Sequence, residues 1–231
     1  MADDRSTART ASRVLVVDDH RAFSEALGMA LDTQRDLELI GTASTVAGAL
    51  ELVDEHQPDV VLMDVQLPDG DGISCTREIK RRWPRTRVVV LTASTEIDLM
   101  AAAAGAGASG FLLKNSSVSD VLSAIRAVGD GGMLIEQASI QAIVDHLKDS
   151  GDKSGDGARS SDLVPRLTPR EDDVLQLLAR GKDTRAVAAE LGITVNTCRG
   201  YIKNLLAKLG AHSQLEVVVR AVQMGLLDRP A

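Results

Sequence analysis

Aromatic residues are scarce in this sequence, whose 231 residues include one Trp, one Tyr and two Phe. Hydrophobic residues still make up 44% of the chain, as in an ordinary globular protein, so the core must be built from aliphatic side chains. Cysteine is also rare, since only Cys75 and Cys198 are present, and they lie far apart in the chain. This argues against a disulfide framework or a cysteine metal site and indicates the cytoplasm as the compartment.

Long hydrophobic runs are absent as well. The longest stretch without a charged residue covers 99–113, which is fifteen residues and includes several glycines. A membrane-spanning helix needs about 20 apolar residues, so this stretch is too short to cross a bilayer. The first residues contain no apolar run behind a basic patch, so we expect neither a secretory signal nor a membrane partner.

The net charge of −7 is unevenly distributed along the chain. Residues 1–162 contain sixteen Lys and Arg against twenty-six Asp and Glu, whereas residues 163–231 contain ten against seven. An acidic first part followed by a mildly basic second part indicates an anion-binding domain at the C-terminal end. The excess is small, and a chance imbalance explains it equally well.

Five short apolar runs alternate with five segments whose apolar residues recur at helical spacing. The predicted strands cover 13–17, 37–43, 60–64, 88–92 and 110–114, and the predicted helices cover 21–31, 46–55, 73–83, 97–104 and 118–128. This alternation predicts an α/β domain over 12–130, with a doubly wound, five-stranded parallel sheet covered by helices on both faces.

The character of the sequence changes after this domain. An amphipathic segment at 135–147 precedes a polar stretch, 148–162, that has no periodicity, so we interpret 131–166 as a connecting helix and flexible linker. From residue 167 the pattern is helical, and Gly192 separates two short helices in a helix-turn-helix arrangement. The sequence predicts a small all-α domain over 167–229. Its last helix, at 215–226, carries an apolar stripe that is either a partner face or ordinary core.

Polar residues stand where the predicted strands end. They are Asp18 and Asp19 after the first strand, Asp64 at the end of the third, Thr92 at the end of the fourth and Lys114 at the end of the fifth. These ends lie side by side in a doubly wound sheet, and crowded carboxylates favour Mg²⁺ as a neutralising ion. Beside such an ion, one carboxylate can attack a phosphoryl group, while the hydroxyl and the ammonium bind its oxygens.

This set of residues resembles the receiver domain of two-component response regulators, which are phosphorylated by a sensor histidine kinase. The resemblance implies that Asp64 is the phosphate acceptor and a metal ligand, that Asp19 is the main direct Mg²⁺ ligand and that Asp18 assists through water. It also implies a fourth ligand, the backbone carbonyl of Gln66. His20 follows the acidic pair, but imidazole suits Mg²⁺ poorly, so we predict a surface or packing role for it.

Two further positions match the conformational switch of that family. The resemblance pairs Thr92 with Phe111, so that the hydroxyl moves toward the phosphate while the aromatic ring turns inward. It also assigns Lys114 to the charge of the phosphate. Asp64 with these three residues therefore forms the predicted phosphorylation and switch site.

The C-terminal segment resembles the LuxR-type helix-turn-helix, and the whole chain resembles a NarL/FixJ-family regulator. The resemblance makes 195–209 the recognition helix in the major groove of DNA. The predicted DNA contacts are Asn196, Thr197, Arg199, Gly200, Lys203 and Asn204. A glycine inside a helix costs about 1 kcal/mol against Ala, so Gly200 either lets the backbone approach DNA or is a tolerated surface residue.

The resulting hypothesis is a regulator, not an enzyme, in which phosphorylation of Asp64 controls homodimer formation and sequence-specific DNA binding to regulate transcription. One alternative is a hydrolase of the haloacid dehalogenase type. Those enzymes need a second acid two residues after the nucleophile, and Gln66 stands there. The other alternative is an atypical regulator that binds DNA without phosphorylation and uses the receiver only to dimerise.

Overall fold

Five parallel strands form the central sheet of the N-terminal part. The structure, a computed structural model, describes residues 11–129, 132–152 and 165–227. Its strands are β1 (Ser12–Val17), β2 (Leu37–Ala43), β3 (Val60–Asp64), β4 (Gln66–Leu67), β5 (Gly70–Asp71), β6 (Arg87–Thr92) and β7 (Gly110–Leu113). The parallel sheet has the order β2-β1-β3-β6-β7, which confirms the predicted doubly wound fold. The antiparallel pair β4 and β5 is too short to show an alternating sequence pattern and is not predicted.

Helices cover both faces of this sheet. They are α1 (Arg21–Asp32), α2 (Val46–His56), α3 (Gly72–Arg82), α4 (Ile97–Gly105) and α5 (Val118–Gly129). The interior strand β1 shows why both faces are buried, because successive strand side chains point to opposite sides. Val14 and Val16 pack in one apolar cluster with residues of α1 and α5, whereas Leu15 packs in another with residues of α2 and α3.

The helix that follows the receiver-like part is longer than the sequence pattern predicts. It is α6 (Gln137–Asp152), so the predicted linker is wrong for 148–152, which continue the helix. The first turns of α6 are held in place by the buried side chains of Ile140, Ile143 and Val144. Once these turns have formed, extending the helix through 148–152 costs little free energy. The remaining part of the predicted linker, 153–162, lies outside the described residues.

Four helices form the C-terminal part, as predicted. They are α7 (Pro169–Ala179), α8 (Thr184–Glu190), α9 (Val195–Leu209) and α10 (Gln214–Gln223). Gly192 has a φ of +65° between α8 and α9, a conformation that a residue without a Cβ adopts freely. The side chain of Thr194 accepts a hydrogen bond from the backbone N–H of Thr197 and so caps α9. These two features fix the turn of the helix-turn-helix.

The two parts of the chain bury one apolar cluster together, which we call the shared core. Its members include Met100, Ala101, Ala103 and Ala104 of α4, Phe111 of β7, Ile140 and Ile143 of α6, and Val217, Val218, Val219, Ala221 and Val222 of α10. Ser213, the N-cap of α10, also donates a hydrogen bond from its Oγ to the carbonyl oxygen of Ala108 at 2.7 Å. The apolar stripe of α10 therefore packs against the receiver-like part in this structure.

Glu171 should make the stability of the C-terminal domain depend on pH. Its buried carboxylate lies 2.6 Å from Lys208 Nζ and accepts a hydrogen bond from the backbone N–H of Thr168. Burial raises its pKa, but Lys208 and Thr168 outweigh burial, so the pKa lies below the ordinary 4.5. The stabilisation is therefore complete above that value and is lost as the pH falls through the lower folded-state pKa.

We expect Glu171→Gln to melt at a lower temperature than the wild type at neutral pH. The difference between the two proteins should shrink as the pH falls from 4.5 through the lower folded-state pKa of Glu171, below which the wild-type carboxylate is protonated in both states. Thermal melts followed by circular dichroism across this pH range measure both effects. Glu190→Gln is the matched control, since its ion pair with Lys182 is exposed and contributes little. Equal shifts in the two variants would contradict the assignment.

Candidate phosphorylation site and nucleic-acid interface

Three carboxylates meet where β1 and β3 end side by side. Asp18 and Asp64 are each 3% exposed, whereas the side chain of Asp19 is 39% exposed. Each carboxylate, together with the ring of His20, offers a potential ligand atom, and these atoms lie within 4.8 Å of one another. The parallel pairing of β1 with β3, which sets Val17 opposite Met63, brings the two strand ends together. The structure thus gathers the carboxylates that the sequence predicts as one site.

Lys114 closes this cluster from the end of β7. Its Nζ lies 2.6 Å from Asp64 Oδ2 and 2.9 Å from Asp18 Oδ2. Burial by itself lowers the pKa of the Lys114 ammonium, but the hydrogen bonds to Asp64 and Asp18 outweigh burial and raise the pKa above its ordinary value. A fixed positive charge therefore stands beside Asp64, where it can neutralise charge that arrives on that carboxylate.

His20 also belongs to the cluster, which the sequence pattern alone does not indicate. Its Nδ1 lies 3.0 Å from Asp18 Oδ1 and 2.8 Å from Asp19 Oδ1, while its backbone N–H donates to Asp18 Oδ1 at 2.8 Å. The side chain is 70% exposed. The sequence signal was the position of His20 directly after the acidic pair. That position does not give the direction in which a loop side chain points.

The chemistry of the donor set fits a hard divalent cation. Carboxylate and backbone carbonyl oxygens suit Mg²⁺, and the cluster supplies three carboxylates on neighbouring strand ends. Gln66 follows Asp64 on the same loop, and its backbone N–H donates to Asp64 Oδ1 at 3.3 Å. This contact holds one oxygen of the Asp64 carboxylate, while Lys114 pairs with the other.

The proposed switch residues lie on the neighbouring strands β6 and β7, and neither forms a hydrogen bond with the Asp64 side chain in this structure. Thr92 is buried, and its hydroxyl donates to the carbonyl oxygen of Ser94 and accepts from the N–H of Ser94, both at 3.0 Å. Phe111 is 9% exposed and packs in the shared core. Its backbone N–H donates to the carbonyl oxygen of Leu134, so the segment before α6 covers the edge of β7.

Gly72 holds the loop after Asp64 tightly against the sheet. Its N–H donates to the carbonyl oxygen of Val65 at 2.8 Å as α3 begins. A Cβ added at this residue would lie 1.8 Å from the carbonyl oxygen of Asp64 and 3.2 Å from Cγ of Met63. Only a glycine therefore allows α3 to start this close to the backbone of the proposed acceptor.

The predicted DNA contacts lie on α9, and two of them face the receiver-like part. Arg199 and Lys203 line a cleft of about 510 Å³ whose opposite wall includes Arg85 and Arg87. The remaining predicted contacts, Asn196, Thr197, Gly200 and Asn204, are exposed. Nothing lies within 4 Å of a Cβ built at Gly200, so the protein itself would leave room for a side chain there. In this arrangement, Arg199 and Lys203 lie at the cleft, but like the other four predicted contacts they remain exposed.

Comparisons with known proteins match both parts of the chain. Residues 14–126 match the family model of the response regulator receiver domain, and 165–221 match that of the bacterial regulatory proteins of the luxR family. The chain is 34% identical to the transcriptional regulatory protein LiaR of Bacillus subtilis, over 94% of this chain and 99% of that protein. It is 30% identical to the response regulator protein VraR of Staphylococcus epidermidis strain RP62A, over 94% of this chain and 100% of that protein.

A solved structure agrees with the fold. The LuxR-family two-component response regulator from Aurantimonas sp. SI85-9A1 superimposes with a TM-score of 0.54 at 28% identity, covering 59% of this chain and 98% of that one. No helix among the described residues is long and apolar enough to cross a membrane. The two family matches and the full-length relatives support one assignment. The chain belongs to the NarL/FixJ family of two-component response regulators and is a transcriptional regulator with a receiver domain and a LuxR-type DNA-binding domain.

Proposed function

We propose that this regulator is switched by phosphorylation of Asp64, with a sensor histidine kinase as the donor, and that it acts in the cytoplasm. A carboxylate oxygen of Asp64 bonds to phosphorus while the bond from phosphorus to the donor breaks, and the donor group leaves with that electron pair. The main support is the ion pair between Lys114 and Asp64 at 2.6 Å, which supplies a positive charge where phosphoryl oxygens would arrive. The buried setting of Asp64 makes that charge more effective than it would be in water.

The metal in this proposal is Mg²⁺, held by the carboxylates of Asp18, Asp19 and Asp64 and by the backbone carbonyl of Gln66. When bound, it neutralises charge on the phosphoryl oxygens and the acceptor. The protein's own part is to keep the carboxylates together and to orient Asp64 through the N–H of Gln66. Lys114 must then exchange part of its contact with Asp64 for a phosphoryl oxygen.

Thr92 and Phe111 connect phosphorylation to the rest of the molecule in this proposal. The Thr92 hydroxyl leaves the backbone of Ser94 and donates to a phosphoryl oxygen. Phe111 lies on the neighbouring strand within the shared core, so a change at β6 and β7 reaches the surface on which α10 packs. Phosphorylation would thereby weaken the contact between the receiver and the DNA-binding domain.

Opening would release both surfaces that the active form needs. Arg199 and Lys203 would leave the cleft and reach DNA, while the apolar stripe of α10 would leave the shared core. An exposed apolar stripe of this kind is suited to pairing with a second copy, and a dimer reads two half-sites on DNA. The unphosphorylated chain would then be closed and the phosphorylated chain an open homodimer on DNA.

The test is intact mass after incubation with acetyl phosphate and Mg²⁺. We expect one added phosphoryl group on the wild type and none on Asp64→Asn, because an amide oxygen is a poor nucleophile. Asp71→Asn is the matched control, since Asp71 caps α3 on the same loop and should leave the labelling intact. No adduct on folded wild type, with a positive control, would favour the atypical regulator that works without phosphorylation.

A further inference from the structure

The cleft between the receiver and α9 is strongly basic on both walls. The basic residues that line it are Lys80, Arg85 and Arg87 of the receiver and Arg199, Lys203 and His212 of the DNA-binding domain. Asp59 is the one acidic residue among the described residues that line it, and its carboxylate already accepts a hydrogen bond from the backbone N–H of Arg13 at 2.9 Å. The chain as a whole carries a charge of −7, so the basic cleft does not follow from the overall composition.

Closing the two domains brings these like charges toward each other. Lys80 shows the effect within one wall: burial and, to a smaller extent, the positive charge of Arg87 lower the pKa of its ammonium, the negative charge of Glu216 on α10 offsets part of this, and the pKa is about 8. Its Nζ donates to the carbonyl oxygens of Pro84 and Thr86, which orients the lysine but adds no negative charge. An anion in the cleft would relieve the repulsion from both walls at once.

The shape of the cleft limits the kind of anion. A volume of about 510 Å³ lies in the range typical of small-molecule sites and is much larger than a single phosphate needs. Pro84, Ile202 and Leu206 add an apolar patch beside the basic residues. Arginine side chains bind phosphate oxygens through paired N–H donors, so several phosphate groups match three arginines better than one carboxylate would.

We propose that this cleft binds a small molecule that carries several phosphate groups, bridging Arg85 and Arg87 of the receiver to Arg199 and Lys203 of α9. Bound there, the molecule holds the two domains closed and stabilises the closed form. It also competes with DNA for Arg199 and Lys203, a consequence that rests on the proposed function. The apolar patch would contact a base if the molecule is a nucleotide.

Inorganic tripolyphosphate and ATP are the probes, titrated into the unphosphorylated full-length chain without divalent cations and at constant ionic strength. Arg85→Glu is the test variant because Arg85 is exposed and belongs to the receiver, outside the DNA-contacting helix. We expect it to weaken binding of tripolyphosphate by at least about tenfold in calorimetry. Arg77→Glu is the matched control, since Arg77 is exposed on α3 outside the cleft and should change binding by less than about twofold.

A second measurement is independent of DNA. Tripolyphosphate should raise the melting temperature of the wild type and of Arg77→Glu by the same amount and that of Arg85→Glu by clearly less, because stabilisation by a ligand falls as its dissociation constant rises. Tighter binding of ATP than of tripolyphosphate would identify a nucleotide, and equal binding would identify the phosphates as sufficient; both support the site. No binding by either probe, or equal loss in both variants, would overturn it. These readouts stand even if the phospho-switch fails its own test.

Discussion

Glutamate in place of Ala101 should raise the affinity of the unphosphorylated protein for DNA by at least about tenfold, within the usual range of coupling between two sites. The residue lies on α4 between two contacts with the rest of the molecule. Three residues before it, Asp98 lies 2.8 Å from Nε2 of His146 on α6. Four residues after it, a Cβ at Gly105 would lie 3.9 Å from Val219 of α10. Residues at this spacing share one helix face, so the new carboxylate would be buried under α6 and α10.

A buried carboxylate without a partner is unfavourable, so the interface should open instead of burying it. Fluorescence anisotropy with a labelled random-sequence duplex measures the affinity without knowledge of the target site. Ala102→Glu is the matched control, because Ala102 is the exposed neighbour on the same helix and the charge change is identical. Unchanged DNA affinity in Ala101→Glu, with the fold intact by circular dichroism, would mean that closure does not restrain DNA binding. The proposed closed state would then lose its regulatory role.

One added methyl group at residue 72 should destabilise the receiver domain by at least about 3 kcal/mol, the upper part of the range for overpacking. In Gly72→Ala the new Cβ would lie 1.8 Å from the carbonyl oxygen of Asp64, which is backbone and cannot rotate away. Either the start of α3 or the end of β3 must move, and both positions hold the proposed acceptor in place. We therefore expect a lower midpoint in urea unfolding and loss of labelling by acetyl phosphate.

Gly200→Ala is the stability control for that substitution. The same methyl group meets nothing within 4 Å there, and alanine favours a helix over glycine by about 1 kcal/mol, so this variant should be slightly more stable. Wild-type stability and labelling in Gly72→Ala would show that the loop after Asp64 tolerates a shift, and the tight turn would no longer explain the glycine. The comparison separates a backbone clash from a general effect of removing glycine.

The sheet and the acidic cluster were predictable because their signals are local. Central strands buried on both faces give unbroken apolar runs such as 60–63, and the residue that leaves such a strand stands at the edge where sites form. Asp64 and Lys114 could therefore be placed at one site from their positions alone. The ionic contact between them required the register of β3, β6 and β7, which the structure provides.

The contacts between the two domains were not predictable in the same way. The apolar stripe on α10 fits a partner face and ordinary core equally well, because a pattern of apolar residues shows that a face is buried but not which element packs against it. Arg85 and Arg199 are 114 positions apart and reach the same cleft only through the packing of α10 on α4 and α6. The extension of α6 to Asp152 similarly depends on its buried first turns, since its last residues are polar.

The shared core should also make the opening of the regulator depend on temperature. Separating the domains would expose aliphatic side chains of α4, α6 and α10 to water, so opening should carry a positive change in heat capacity. The attraction between such surfaces weakens on cooling. The same degree of phosphorylation would then open a larger fraction of molecules in the cold than in the warm. Because the shared core lies between two domains, the degree of phosphorylation needed to open the regulator should depend on temperature.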